Sequence, residues 1–175
     1  MKFLKELEEN NVILLILASE QYNKTCNDVA GELSGKKVVY INFNKTYFSL
    51  KEMFEKKGVD LTNFVFVDGI TKTIKNTADS TEGCYYVTSP QALTEISIKL
   101  SKLLNHRFDF VIFDSITNLL TYNNKNNVIK FVSNTVARVK ENKTKSIFYA
   151  LSLTEQEAII KEVGMFADKI INLSK

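Results

Sequence analysis

Residues 12–17 read Val-Ile-Leu-Leu-Ile-Leu, six apolar side chains with no polar interruption. A strand that alternates with polar residues can face water on one side. An unbroken apolar run this short must be covered on both faces, as in a parallel sheet sandwiched between helices. The run is far too short to cross a bilayer, so membrane insertion is not expected. Its leader, Lys-Phe-Leu-Lys-Glu-Leu-Glu-Glu-Asn-Asn, carries three glutamates, which is wrong for a secretory signal.

The rest of the chain repeats the alternation. A short amphipathic helix is expected over 2–9, and helices over 24–33, from Ser49 to Gly58, from Ser89-Pro90 onward, over 126–140 and from Thr154. Strands are expected at 12–17, 37–43, 64–67, 84–87, 108–113, 146–151 and 169–173. Ser49 with Glu52 reads as a capping box, and Ser89-Pro90 as a cap followed by a first-turn proline. The polar, weakly periodic stretch 70–82 reads as a long loop. The expectation is a three-layer α/β/α protein, a mainly parallel sheet of about seven strands in a single domain over 1–175.

Strand 12–17 runs into Ala-Ser-Glu-Gln-Tyr-Asn-Lys-Thr, residues 18–25, and then a helix. That is the position and length of a phosphate loop, GxxxxGK[ST], whose glycine amides wrap phosphate oxygens while Lys and Thr complete the cage. Ala18 and Asn23 stand where the glycines belong, and Lys24 and Thr25 match. Ala18 serves if its φ is negative, and Asn23 is the best non-glycine replacement for a left-handed residue. Glu20, Gln21 and Tyr22 are bulky for such a loop, and the Glu20 carboxylate would repel phosphate. Amides of residues 21–25 converging on a hollow would preserve binding; Glu20 or Tyr22 filling it would not. On spacing alone, a plain strand-to-helix turn bearing a surface lysine is favoured over a working loop.

Phe-Asp-Phe-Val-Ile-Phe-Asp-Ser, residues 108–115, ends an apolar strand on Asp114. A carboxylate there orients magnesium's water beside bound phosphates. Lys24, Thr25 and Asp114 therefore belong at one edge of one sheet, where open α/β folds bind ligands. Thr25 and Asp114 would be the magnesium-side residues.

With these pieces in order, the chain resembles the RecA-like ATPases of the KaiC type over nearly its whole length. The stretch 38–60, VVYINFNKTYFSLKEMFEKKGVD, resembles that family's second strand and following helix. VIFDSITNLL at 111–120 resembles its Walker B segment, and ADKIINL at 167–173 its final strand. The resemblance implies a RecA-like P-loop core, a cytoplasmic and archaeal setting in regulation or signal transduction, protein partners and homo-oligomers. It also implies two departures. The paired glutamates that polarise water in active members are replaced by Asn44 and Lys45, neither of which can take a proton. The loop lacks both glycines. The expected protein therefore has no catalytic residue and acts as a regulatory relative with weak or no nucleotide binding. ATP with magnesium at low affinity is the one cofactor left open. The competing reading is a slow ATPase using Lys24, Thr25 and Asp114, with Glu20 or Asp68 as base.

Other residues point less far. A net charge of +3 with only Arg107 and Arg138 among the arginines argues against nucleic acid. Cys26 and Cys84 are too few for a disulfide framework or zinc site, and a nucleophilic Cys26 lacks an identifiable base. His106 reads as a solvated cap, Asp68 with Gly69 as a turn, and Asp79 and Glu82 as solvated. Tyr47, Phe48, Tyr85, Tyr86 and Tyr122 divide between core and an interaction surface. Asn-Lys-Thr recurs at 23, 44 and 142, a compositional coincidence in a chain rich in Asn and Lys.

Overall fold

In the computed structural model, which describes residues 2–174, the strands join one sheet. In chain order the elements are α1 (Phe3–Glu9), β1 (Val12–Leu17), α2 (Tyr22–Glu32), β2 (Val38–Asn42), α3 (Tyr47–Glu55) and β3 (Phe64–Asp68). They continue with α4 (Thr71–Ile74), β4 (Ser80–Thr81), β5 (Cys84–Tyr86), α5 (Leu93–Leu104) and β6 (Phe110–Asp114). The last are α6 (Ile116–Tyr122), α7 (Lys125–Glu141), β7 (Lys145–Leu151), α8 (Glu157–Gly164) and β8 (Lys169–Asn172). The sheet order is β4-β5-β3-β2-β6-β7-β1-β8, and every pairing is parallel except β4 with β5.

Alternation along the strands sorts the core into two layers. Ile13, Leu15, Tyr40 and Ile112 pack under α1, α2 and α3, with Phe3, Val29 and Phe54. Leu14, Val39, Val111 and Phe113 pack under α5, α6, α7 and α8, with Leu100, Val132 and Ile160. The three-layer architecture is the expected one. It has eight strands rather than about seven, because the two-residue β4 pairs antiparallel to β5 within the stretch expected to be a loop. The same stretch contains α4.

Several helix starts differ from expectation. The first turn of α3 begins three residues early, because Thr46 rather than Ser49 is its cap: the Thr46 Oγ1 accepts the Ser49 N–H at 3.3 Å. Ser89-Pro90 forms a separate turn, with Ser89 O accepting the Ala92 N–H at 3.1 Å, before α5 starts at Leu93. An unanticipated helix, α6, follows β6 at once, capped by Ser115 Oγ accepting the Asn118 N–H at 3.3 Å. Gly35 and Gly58, with φ of 77° and 73°, follow α2 and α3 in the left-handed conformation that glycine adopts without strain. Among the described residues, no helix is long and apolar enough to cross a membrane.

Candidate functional site at the carboxyl edge of the sheet

Parallel register sets three polar residues level with one another at the carboxyl ends of neighbouring strands. Asn42 of β2 pairs with Asp68 of β3 on one side and with Asp114 of β6 on the other. All three are buried. A buried carboxylate is tolerated only when hydrogen bonds replace its water, and the two acids find theirs differently.

Asp68 is satisfied locally. It accepts the Tyr47 N–H at 2.6 Å, the Ile70 N–H at 2.6 Å, the Thr71 N–H at 2.9 Å and the Thr71 hydroxyl at 2.5 Å. It therefore orders the turn into α4 and ties it to the start of α3.

Asp114 is satisfied at long range. Its Oδ2 accepts from the Tyr22 hydroxyl and, at 2.9 Å, from the Tyr40 hydroxyl. Its Oδ1 accepts from Asn44 Nδ2 at 2.6 Å, and the same amide donates to Tyr22 Oη at 2.8 Å. Lys45 lies with its Nζ 5.5 Å from the centre of the Tyr22 ring, a cation–π distance. Tyr40 reaches the carboxylate because it lies two residues before Asn42, hence on the same face and diagonal to Asp114. Burial pushes the Asp114 carboxyl up to about 6, with the hydrogen bonds from Tyr22, Tyr40 and Asn44 and the charge of Lys45 pulling the other way. Burial also raises Tyr22 and Tyr40, and the Asp114 charge adds to it.

The strand-to-helix connection that would form a phosphate loop has another shape. After Ala18, whose φ is −71°, residues Ser19–Gln21 make one 3-10 turn that leads directly into α2 at Tyr22. The Gln21 N–H donates to Ala18 O and the Tyr22 N–H to Ser19 O, so both amides are spent within the turn. Asn23 and Lys24 lie in the first turn of α2 instead of a loop. Among the described residues only Arg107 and Lys143 are non-glycine residues with positive φ, so Asn23 does not take the left-handed conformation expected of it. The Lys24 side chain is 79% exposed and pairs with Asp28 at 2.5 Å, one helical turn on. Thr25, itself in α2, is buried, and Glu20 is exposed.

The fold thus brings Asp114, Asn44 and Lys45 together and leaves Lys24 outside the group. Tyr22 and Tyr40, which sequence reasoning gave no role beside Asp114, complete it. The one signal for Tyr40 was its place in the period-two pattern of β2. For Tyr22 there was none beyond its bulk, since its partner lies 92 residues away in the chain. Among the described residues no group of His, Cys, Asp and Glu could hold a metal ion.

Other singled-out residues fall as follows. Tyr47 and Tyr86 are core, while Phe48, Tyr85 and Tyr122 are 56%, 41% and 43% exposed. His106 is exposed just beyond α5, and Asp79 pairs with Lys72 at 2.5 Å. Cys26 and Cys84 are both buried free thiols.

No known family's sequence profile matches the chain, and no curated protein does. Its backbone is nonetheless similar to a crystal structure of a KaiC-like protein from the hyperthermophilic archaeon Pyrococcus horikoshii OT3. The TM-score is 0.69 at 10% identity, over 94% of this chain and 71% of that one. At this identity the likeness is one of architecture, and the architecture is the KaiC-type, RecA-like α/β fold.

Proposed function

We propose that this chain is a non-hydrolysing member of the RecA-like fold, a single domain over 1–175 that works by protein contacts rather than by cleaving ATP. The observation that supports this most directly is the hydrogen bonding of Asp114. In a nucleotide site that carboxylate must face a magnesium's water. Here both of its oxygens are bound by protein donors, and the Tyr22 ring stands where α2 begins.

The residues present do not fit magnesium-ATP. A phosphate cage needs backbone amides free to point at the anion and a lysine aimed into it. The Gln21 and Tyr22 amides donate within the 3-10 turn, and Lys24 is turned to Asp28. The positions for water activation hold Asn44, which donates to Asp114, and Lys45, which lies over Tyr22. Neither Glu20, exposed on the turn, nor Asp68, with four donors on its carboxylate, is placed to act as base. On this reading the protein is a cytoplasmic regulatory or signal-transduction component with protein partners and homo-oligomers of its own, and nucleic acid is not its ligand.

Titration calorimetry with magnesium-ATP tests the reading, paired with steady phosphate release. The expected result is no binding tighter than about 1 mM and no release above buffer. Binding tighter than micromolar would remove the closed-loop part of the reading, and steady release that disappears in Lys24→Ala would establish the slow-ATPase alternative.

A further inference from the structure

On the face of the sheet opposite Asp114, a groove of about 1110 Å³ runs between α5 and α7 and is bounded at one end by Tyr85 of β5. Its floor is apolar. Leu103 and Phe131 form the base, and Ile98 is 51% exposed on α5. Arg138 holds the two walls at a fixed spacing, donating across from α7 to Ser97 O at 3.1 Å and to Ser101 Oγ.

The rim is basic. Lys99 and Lys102 project from α5 and Lys130 from α7, and none of them is in an ion pair among the described residues. The one carboxylate in the lining, Glu95, is occupied by the Thr88 N–H at 2.9 Å. An unneutralised cluster of one sign around a groove with Ile98 half exposed and the buried Leu103 and Phe131 at its base is complementary to a segment carrying the opposite sign and apolar side chains of its own. The 12 residues of α5 span about 18 Å, room for about three turns of a docked helix.

We propose that this groove is a docking site for an acidic amphipathic helix of a partner protein. Apolar side chains three and four residues apart would lie along Ile98, Leu103 and Phe131, and carboxylates would face Lys99, Lys102 and Lys130. Nucleic acid needs free aromatic faces for stacking or arginine forks for phosphate, whereas here Phe131 is buried, Lys99 Nζ covers the Tyr85 ring at 5.7 Å from its centre, and the lining holds no arginine. The docking site stands whichever way nucleotide binding at Asp114 is decided.

The test is selection of a phage-displayed library of random peptides, each long enough for about three helical turns, on the full-length protein. The expected winners are rich in Asp and Glu with apolar residues at helical spacing. Their affinity should fall at least about tenfold in K99E/K102E/K130E and in Ile98→Asp. It should be unchanged in K5E/K36E/K57E, which alters net charge equally on exposed sites elsewhere. The single Ile98→Asp change, on an exposed residue, keeps the test decisive should the triple variant fold poorly. The proposal is overturned if no such peptide is enriched, if the winners ignore the groove variants, or if the control variant loses as much. It is equally overturned if a single-stranded oligonucleotide displaces the selected peptides from the groove.

Discussion

Asp68 and Asp114 stand level with each other on either side of Asn42, both buried, and each is kept by a different kind of donor. Asp68 takes mainly backbone amides of its own turn, whereas Asp114 takes two phenols and a side-chain amide from other elements. Asp68→Ala would leave the Tyr47 and Thr71 amides without an acceptor in a buried place. We expect a loss of about 3 kcal/mol in urea unfolding, with the turn into α4 losing amide-exchange protection first.

Asp114 makes stability depend on pH in the direction opposite to most carboxylates. Its folded-state value is raised to about 6 against 3.8 for an exposed group, so between those values the folded protein holds a proton that the unfolded chain has released. Stability from this group is therefore greatest below about pH 4 and declines as pH rises to about 6, by on the order of 3 kcal/mol. Asp114→Asn removes the titration. On going from pH 7.5 to pH 5 the wild-type urea midpoint should rise relative to that of Asp114→Asn. A constant difference would mean that Asp114 does not titrate there.

Placing an acid at the end of β2 should be costly. In Asn44→Asp a second carboxylate would replace the amide now 2.6 Å from Asp114 Oδ1. Two like charges at that distance cannot both ionise, and one must hold a proton. We expect a destabilisation of about 3 kcal/mol at pH 7.5 that is largely recovered at pH 5, read from thermal melts at the two values.

The thiols should be inert in the native protein. Cys26 is fully buried beside the Asp114 cluster, and burial first, then the Asp114 charge, raises its thiol well above the ordinary value. Burial raises Cys84 as well. Aromatic disulfide reagent at pH 8 should titrate neither thiol in the folded protein and both in urea, at a rate set by unfolding.

The sheet was readable from the chain because its strands are apolar runs of a length that admits little else. Strand β1 matches residue for residue, and Asp114 was legible as the last residue of such a run. What was missed lies where local preference gives way to contact. The α6 helix is only seven residues long and is held by burying Ile116 and Leu119, so its periodicity was too brief to register. Helix α2 starts at Tyr22, two residues before the expected Lys24, with the Tyr22 hydroxyl donating to Asp114, a contact across 92 residues that no local pattern encodes. The strand β4 has two exposed residues and exists only because β5 lies beside it. The residues around Asp114 come from two stretches, Tyr22 and residues 40–45, both distant from it in the chain, and no spacing rule joins the three.

That separation has a mechanical consequence. The carboxylate at the end of β6 gathers the entrance of α2 and the stretch from the middle of β2 into the turn after it, so it behaves as a non-covalent cross-link among three segments far apart in the chain. Such a rivet makes their openings concerted. Loosening any one strand of it exposes unpaired donors on the others, and all three should breathe together, not one by one.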